Sequence, residues 1–383
     1  MFLLQFRIFI SEAHKDGKHF PRGMVICIYK SDFMRSLFLL ISLAFISSIP
    51  LPGQDDQAPT FEDTAAVYED LFEIKEPLNL TLKFNVKELI KTKYEEEYLP
   101  AEMTCHVREG FEVKHEVRVK ARGEIRKKIC YAPMFWVNIK HAGIEAEDLA
   151  NVNKMKVVIR CKASSTYKNY ILREYLVYQI WNLLSPYSFN TRLVRLKMID
   201  TGRKNKESEN WAFIIEPEAM MAERNNCLSI KNDRLSIRTV DKEWMDRVAF
   251  FSYMVGQSDF SVTGRHNLKI ITSKEYGSTG YIPVPYDFDY CGLVNAEYAI
   301  PGEPLGIESV TERYFLGACR NDEVYMKTVE WLNSFQDEIT DLIQNFEYIE
   351  ESEKKYLMKY IDSYFREAGQ SWFLGRRISS TCL

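Results

Sequence analysis

Residues 255–292 read VGQSDFSVTGRHNLKIITSKEYGSTGYIPVPYDFDYCG. Short, mostly apolar runs, 267–272 and 281–285, alternate with segments rich in glycine, serine and acids, which is the pattern of a strand–turn–strand unit. Asp259, Asn267, Asp287 and Asp289 are set around those runs. Three carboxylates and an amide carried on rigidly held loops can ligate a divalent cation and orient a nucleophile, as phosphoryl transfer requires. Asp259 follows an apolar helical segment and is placed to accept a hydroxyl proton. Asn267 and Asp287 offer oxygen to a metal, and Asp289, two residues on, can face the same ion if the strand continues. The alternative for each acid is a turn cap or an ion pair. His266 is either a ligand or base, or a structural hydrogen-bond donor.

Working outward, the period of the apolar positions divides the chain. Alternation marks strands at 78–86, 113–121, 134–140, 154–160, 192–199 and 211–216. Within them, Leu172, Leu176, Ile180 and Leu183 recur at helical spacing over 170–184. The second half begins with a helix at 241–255, and after the quoted stretch the spacing predicts helices at 307–319, 323–346 and 351–367. An antiparallel β-rich part with one helix (78–216), followed by a mostly helical part (217–383), is an α+β, two-lobe plan.

The chain has 383 residues and 46% hydrophobic content, enough for a sizeable core. A net charge of -4, without a basic block, argues against general nucleic-acid binding. Residues 1–53 read as a leader: from Met34, a basic Arg35, an apolar run over 37–49 and a Pro–Gly break at 50–53 match a secretory signal peptide. Residues 54–77 form a linker or extension. With no other apolar run long enough to span a bilayer, the mature chain is expected to be exported, in a periplasmic, secreted or envelope-associated location. Seven of the eight cysteines lie beyond the leader and none forms a CxxC pair, which argues against a zinc site. Cys130 and Cys161 flank two neighbouring strands and either form a disulfide or remain buried thiols.

The first half carries the basic groups. Lys156 lies on the strand KMKVVIRCK, and Glu174 lies on the following helix in LREYLVY. A glutamate behind a strand lysine can fix its ammonium over a phosphate. Lys162 is the competing lysine. The turn ARGEIR (121–126) lacks a GxGxxG pattern, yet Arg122 or Arg126 can bind phosphate directly. Glu216 ends a strand, before Pro217, where the two parts join.

The order of these parts resembles the CotH-type (spore coat protein H) kinase-like family, of which the chain would be a divergent member. The resemblance covers roughly residues 113–292. It implies a protein-kinase-like two-lobe fold with an antiparallel β-rich N-lobe, one helix and a helical C-lobe. It implies ATP and Mg²⁺ or Mn²⁺ as cofactors, with Asp259 as catalytic base and Asn267, Asp287 and Asp289 at the metal. Lys156, with Glu174 as its partner, would serve the nucleotide phosphates; Arg122 and Glu216 join them as nucleotide-binding candidates from their own places in the chain, and the acceptor would be a hydroxyl, on a protein. The step from Asp259 to Asn267 is eight residues, against five in the usual kinase loop. Two other readings use the same residues: a non-catalytic binding module, and a metal-dependent hydrolase with His266 as third ligand.

Overall fold

Alternation of inward apolar and outward polar side chains runs through seven strands and closes them into a barrel in the computed structural model, which describes residues 71–108, 111–139, 154–231, 235–275 and 280–383. The strands are β1 (Leu78–Phe84), β2 (Leu99–Arg108), β3 (Phe111–Arg122), β4 (Met134–Asn138), β5 (Lys154–Ile159), β6 (Thr191–Asp200) and β7 (Lys206–Ile215). Their order around the barrel is β1-β2-β3-β4-β5-β7-β6. Leu80, Leu82, Met103, Val119, Val137, Val157, Val194 and Ala212 fill the interior as one apolar cluster. The leader, the proposed signal peptide and most of the 54–77 extension lie outside the described residues.

This closure corrects the expected protein-kinase-like two-lobe fold with an antiparallel N-lobe sheet. All but one of the seven strand pairings are antiparallel. The exception is β1 with β6, parallel from Leu78 opposite Val194 to Phe84 opposite Asp200, and it joins the two ends of the sheet. A closed barrel has no exposed edge. Two helices decorate it, α1 (Val86–Lys91) and α2 (Glu124–Ile129). Helix α2 starts at Gly123, whose φ of +85° is cheap only for glycine, and where a Cβ would meet Met134 Cε at 2.9 Å.

Part of the outward face of the barrel, on β5, β6 and β7, belongs to a second core. Val158, Leu193, Phe213 and Ile215 join Leu172, Leu176, Val177, Ile180 and Trp181 of α3 (Ser165–Leu184). Helix α3 is buried around most of its circumference, as a helix covered on both sides must be. The same core contains the apolar face of α5 (Lys242–Val255), which follows α4 (Glu218–Arg224) and the short β8 (Cys227–Ser229). Strands β9 (Leu268–Ser273) and β10 (Tyr281–Pro285) extend β8 into a three-stranded sheet.

Helix α5 ends at Gly256, in the left-handed region at φ +72°. Its carbonyl accepts the Gly292 N–H at 3.0 Å, and the Val255 carbonyl accepts the Leu293 N–H at 2.9 Å, which draws the end of the acidic segment back against the helix. Three helices complete the chain: α6 (Asp322–Asn333), α7 (Gln336–Gln344) and α8 (Glu351–Ala368). The helix expected over 323–346 is thus broken at Ser334 and Phe335. That expected over 307–319 is irregular, because Arg313 donates to the carbonyls of Met254 and Tyr360 and to Ser363 Oγ, and so holds its loop against α5 and α8.

Cys130 and Cys161 form a disulfide with Cα atoms 4.6 Å apart, tying the C-terminal end of α2 to the residue after Arg160 at the end of β5. A second disulfide, Cys319–Cys382, was not singled out from the sequence. Among the described residues no helix is long and apolar enough to cross a membrane.

The closed barrel predicts a sharp contrast between neighbouring residues of β1. Leu82 is fully buried in the barrel interior, so Leu82→Ala should cost about 2–5 kcal/mol in urea unfolding. Lys83 makes only a surface ion pair with Glu102, so Lys83→Ala should cost about 1 kcal/mol or less. Equal costs would contradict this register.

Candidate active site

The acidic residues are assembled by the turn after β10. Asp287 has φ +63°, and its N–H donates to Tyr178 Oη on α3 at 2.8 Å. Its carbonyl accepts from Gln257 Nε2 at 3.1 Å. Phe288 is fully buried and meets the rings of Tyr178 and Phe251 edge-on at 4.8 and 5.8 Å. This anchoring brings the carboxylates of Asp287 and Asp289 together with that of Glu174 on α3, so that one oxygen of each lies within 4.8 Å of the others. The two aspartates converge through a tight turn, since β10 has ended at Pro285.

Arg126 of α2 is the counter-charge. Its Nε donates to Asp289 Oδ2 and its NH2 to Glu174 Oε2, both at 2.9 Å, and its NH1 donates to the Ile159 carbonyl at 3.3 Å. Tyr298 Oη also donates to Asp289 Oδ2. Glu174 therefore pairs with Arg126, where the sequence suggested Lys156. Glu174 Oε1 is buried without a hydrogen-bond partner. Burial pushes the carboxyl groups of Glu174 and Asp289 above their ordinary values. The guanidinium of Arg126 opposes the shift, and the neighbouring acids reinforce it. An orphaned carboxylate oxygen beside two further acids fits a hard divalent cation such as Mg²⁺ or Mn²⁺.

Lys156 projects from the outer face of β5, between Trp136 on β4 and Ile215 on β7. It makes no ion pair among the described residues. Its ammonium instead lies 4.8, 5.6 and 5.8 Å from the ring centroids of Tyr286, Trp136 and Phe189. Burial, with Arg122 adding repulsion, lowers its pKa from 10.5 to about 7, and the carboxylate of Asp287 opposes the shift. Lys156 and Asp287 line one cavity of about 490 Å³. Arg122, Lys154 and Lys269 add positive charge to its walls, and Pro217 and Glu218 line it where β7 gives way to α4.

Asp259 and Asn267 meet despite their separation in sequence. Ser261 and His266 exchange backbone hydrogen bonds at 2.9 and 3.0 Å, so residues 262–265 form a small turn outside the loop. Asn267 Nδ2 then donates to Asp259 Oδ2 at 3.1 Å and to its carbonyl at 2.6 Å. His266 Nε2 lies 3.1 Å from Asp259 Oδ1. The Asn267 carbonyl accepts the Tyr286 N–H, which sets this loop beside Asp287. With its Nε2 on Asp259, His266 sits apart from the three-acid cluster, unlike the third ligand of a hydrolase site. Glu216 is buried, and its carboxylate accepts from Arg224 and the Asn190 N–H, so it holds the exit of β7. Sequence reading named Arg126 only as a phosphate candidate and passed over Trp136, Lys154, Glu218 and Lys269. Trp136 stands opposite Lys156 in register, and that pairing emerges only once β4 and β5 are joined.

No protein-family model matches this chain, and no curated protein does. Among solved structures, the chain is similar to the Helicobacter pylori proinflammatory kinase CtkA, with a TM-score of 0.37 and 11% identity over 61% of this chain and 90% of that one.

The buried ammonium makes stability depend on pH. With Lys156 lowered from 10.5 to about 7 in the fold, the unfolded chain binds more protons between those limits, so this residue's contribution to stability rises with pH across that window. Lys156→Met should therefore raise the melting temperature relative to wild type most below pH 7, with the advantage shrinking toward pH 10. An advantage that grows with pH would contradict the buried-ammonium assignment.

Proposed function

We propose that the cleft between Lys156 and Asp287 binds ATP with Mg²⁺ or Mn²⁺ and that the protein transfers the terminal phosphoryl group to a hydroxyl, on a protein acceptor. The observation that carries this reading is a lysine without a carboxylate partner facing, across one cavity, an aspartate backed by two further acids. Phosphoryl transfer needs positive charge on the phosphate oxygens and a metal held by hard oxygens, with a positioned acceptor for the hydroxyl proton. Lys156, with Arg122, Lys154 and Lys269 near it, supplies the first. Phosphate in the cleft would favour the charged form of Lys156 and restore its proton near neutral pH.

For the metal, Asp287, the free Oε1 of Glu174 and Asp289 offer the oxygen set, with Asn267 reached through the adjoining loop. The cation would neutralise charge on the phosphates during transfer. Asp259 serves as the base, its carboxylate oriented by Asn267 and His266. Export is part of the reading, supported by the apolar leader and the two disulfides. One observation favours the non-catalytic alternative. Arg126 already places a cation against two of the three acids, as a binding module without turnover would permit.

The test uses purified full chain. Mg²⁺ and ATP together should raise the melting temperature by several degrees at saturating ligand, about 2.7 kcal/mol of stabilisation at a hundred times Kd. Asp287→Ala should remove the metal-dependent part of the shift. Asp259→Ala should keep the shift and lose transfer of labelled γ-phosphate. Binding without transfer in wild type would favour the binding module, and no shift at millimolar ATP would overturn the nucleotide site.

A further inference from the structure

A second cavity of about 490 Å³ lies on the barrel surface where β1, β6 and β7 run side by side, apart from the cleft of Lys156. Its walls carry four cations, Arg160, Lys168, Arg195 and Lys197, against one carboxylate, Glu209. Such a balance follows from the strand register. Arg195 and Lys197 alternate outward along β6, Arg195 stands opposite Trp211 of β7, and Asn79 and Thr81 of β1 flank them. Lys168 reaches in from α3, and Arg160 from the end of β5.

The two lysines have carboxylates to answer them, Lys168 with Glu350 at 3.9 Å and Lys197 with Glu207 at 2.8 Å. The two guanidiniums do not. Arg160 makes no hydrogen bond or ion pair among the described residues, although it is partly desolvated. Arg195 rests only on the Trp211 ring, 5.3 Å from its centroid. Guanidinium groups present paired donors that match the oxygens of a tetrahedral oxyanion, and two of them left unanswered in one concavity form an anion subsite. The cavity is far larger than a bare ion needs, and Trp211 with the polar Asn79 and Thr81 provides wall for an organic body.

We infer that this cavity binds a phosphate or sulfate monoester, with its oxyanion between Arg160 and Arg195. The site does not depend on the nucleotide reading of the cleft.

Isothermal titration of the full chain with glucose 6-phosphate, glucose 6-sulfate, glucose and inorganic phosphate tests it. At least one ester should bind with Kd tighter than about 1 mM, and glucose should not bind. A preference between the two esters would assign the source of the oxyanion. Arg160→Gln and Arg195→Gln should each weaken binding about tenfold, the scale of a lost charge-assisted hydrogen bond. Arg195 is exposed, so its replacement leaves the fold intact. Lys156→Met should bind as wild type does. The inference is overturned if neither ester binds saturably, if both arginine variants keep wild-type affinity, if Lys156→Met abolishes binding, or if inorganic phosphate binds as tightly as the esters.

Discussion

The guanidinium of Arg126 holds the centre of this molecule together. It is buried, and it spans Glu174 on α3 and Asp289 in the turn after β10. Three separate parts of the chain converge on that one group. Removing one partner from a buried ion pair of this kind typically costs about 3–5 kcal/mol, because the charge left behind has no water. The position of Arg126 is in turn fixed from both ends of α2, by the positive φ of Gly123 and by the disulfide at Cys130. The barrel therefore serves the site through α2 and β5, and the second core serves it through α3 and the buried Phe288.

This interaction also divides the charges of the site. Because Arg126 satisfies one oxygen of Glu174 and one of Asp289, Lys156 has no acid of its own and faces the cleft. Arg126 donates to Glu174 Oε2 and Asp289 Oδ2, which leaves Glu174 Oε1 without a hydrogen bond beside the Asp287 carboxylate. The site thus has a cationic wall on the barrel and an anionic wall on the segment 287–289. Phosphate and a divalent cation are complementary to those walls in that order.

Periodicity made much of the scaffold legible. Strands β1 and β3 to β7, the long α3 and α5 all stand where alternation or helical spacing places them. Strand β2 was missed because its inward positions are Ala101, Met103 and Cys105, with no β-branched residue among them. Closure of the barrel was not legible, since the parallel register of β1 on β6 is a long-range pairing that leaves no local mark. The helix expected at 307–319 failed because Arg313, a surface-type residue in sequence, ties its loop inward. At the site, residue types were legible and partners were not. Glu174 was expected to pair with Lys156 and pairs with Arg126 instead, since the reach of Arg126 depends on how α2 folds over the barrel. The long step from Asp259 to Asn267 needed the Ser261–His266 bridge to make sense.

The most direct test of the cleft is a crystal of the full chain grown with Mn²⁺ and a non-hydrolysable ATP analogue, examined by anomalous scattering. A manganese peak should appear within about 2.5 Å of an Asp287 carboxylate oxygen, with further oxygen ligands from Glu174 or Asp289 and with analogue phosphate oxygens near Lys156 Nζ. A manganese ion and analogue bound elsewhere, with Arg126 and the three acids undisturbed and the cleft holding only water, would contradict the account.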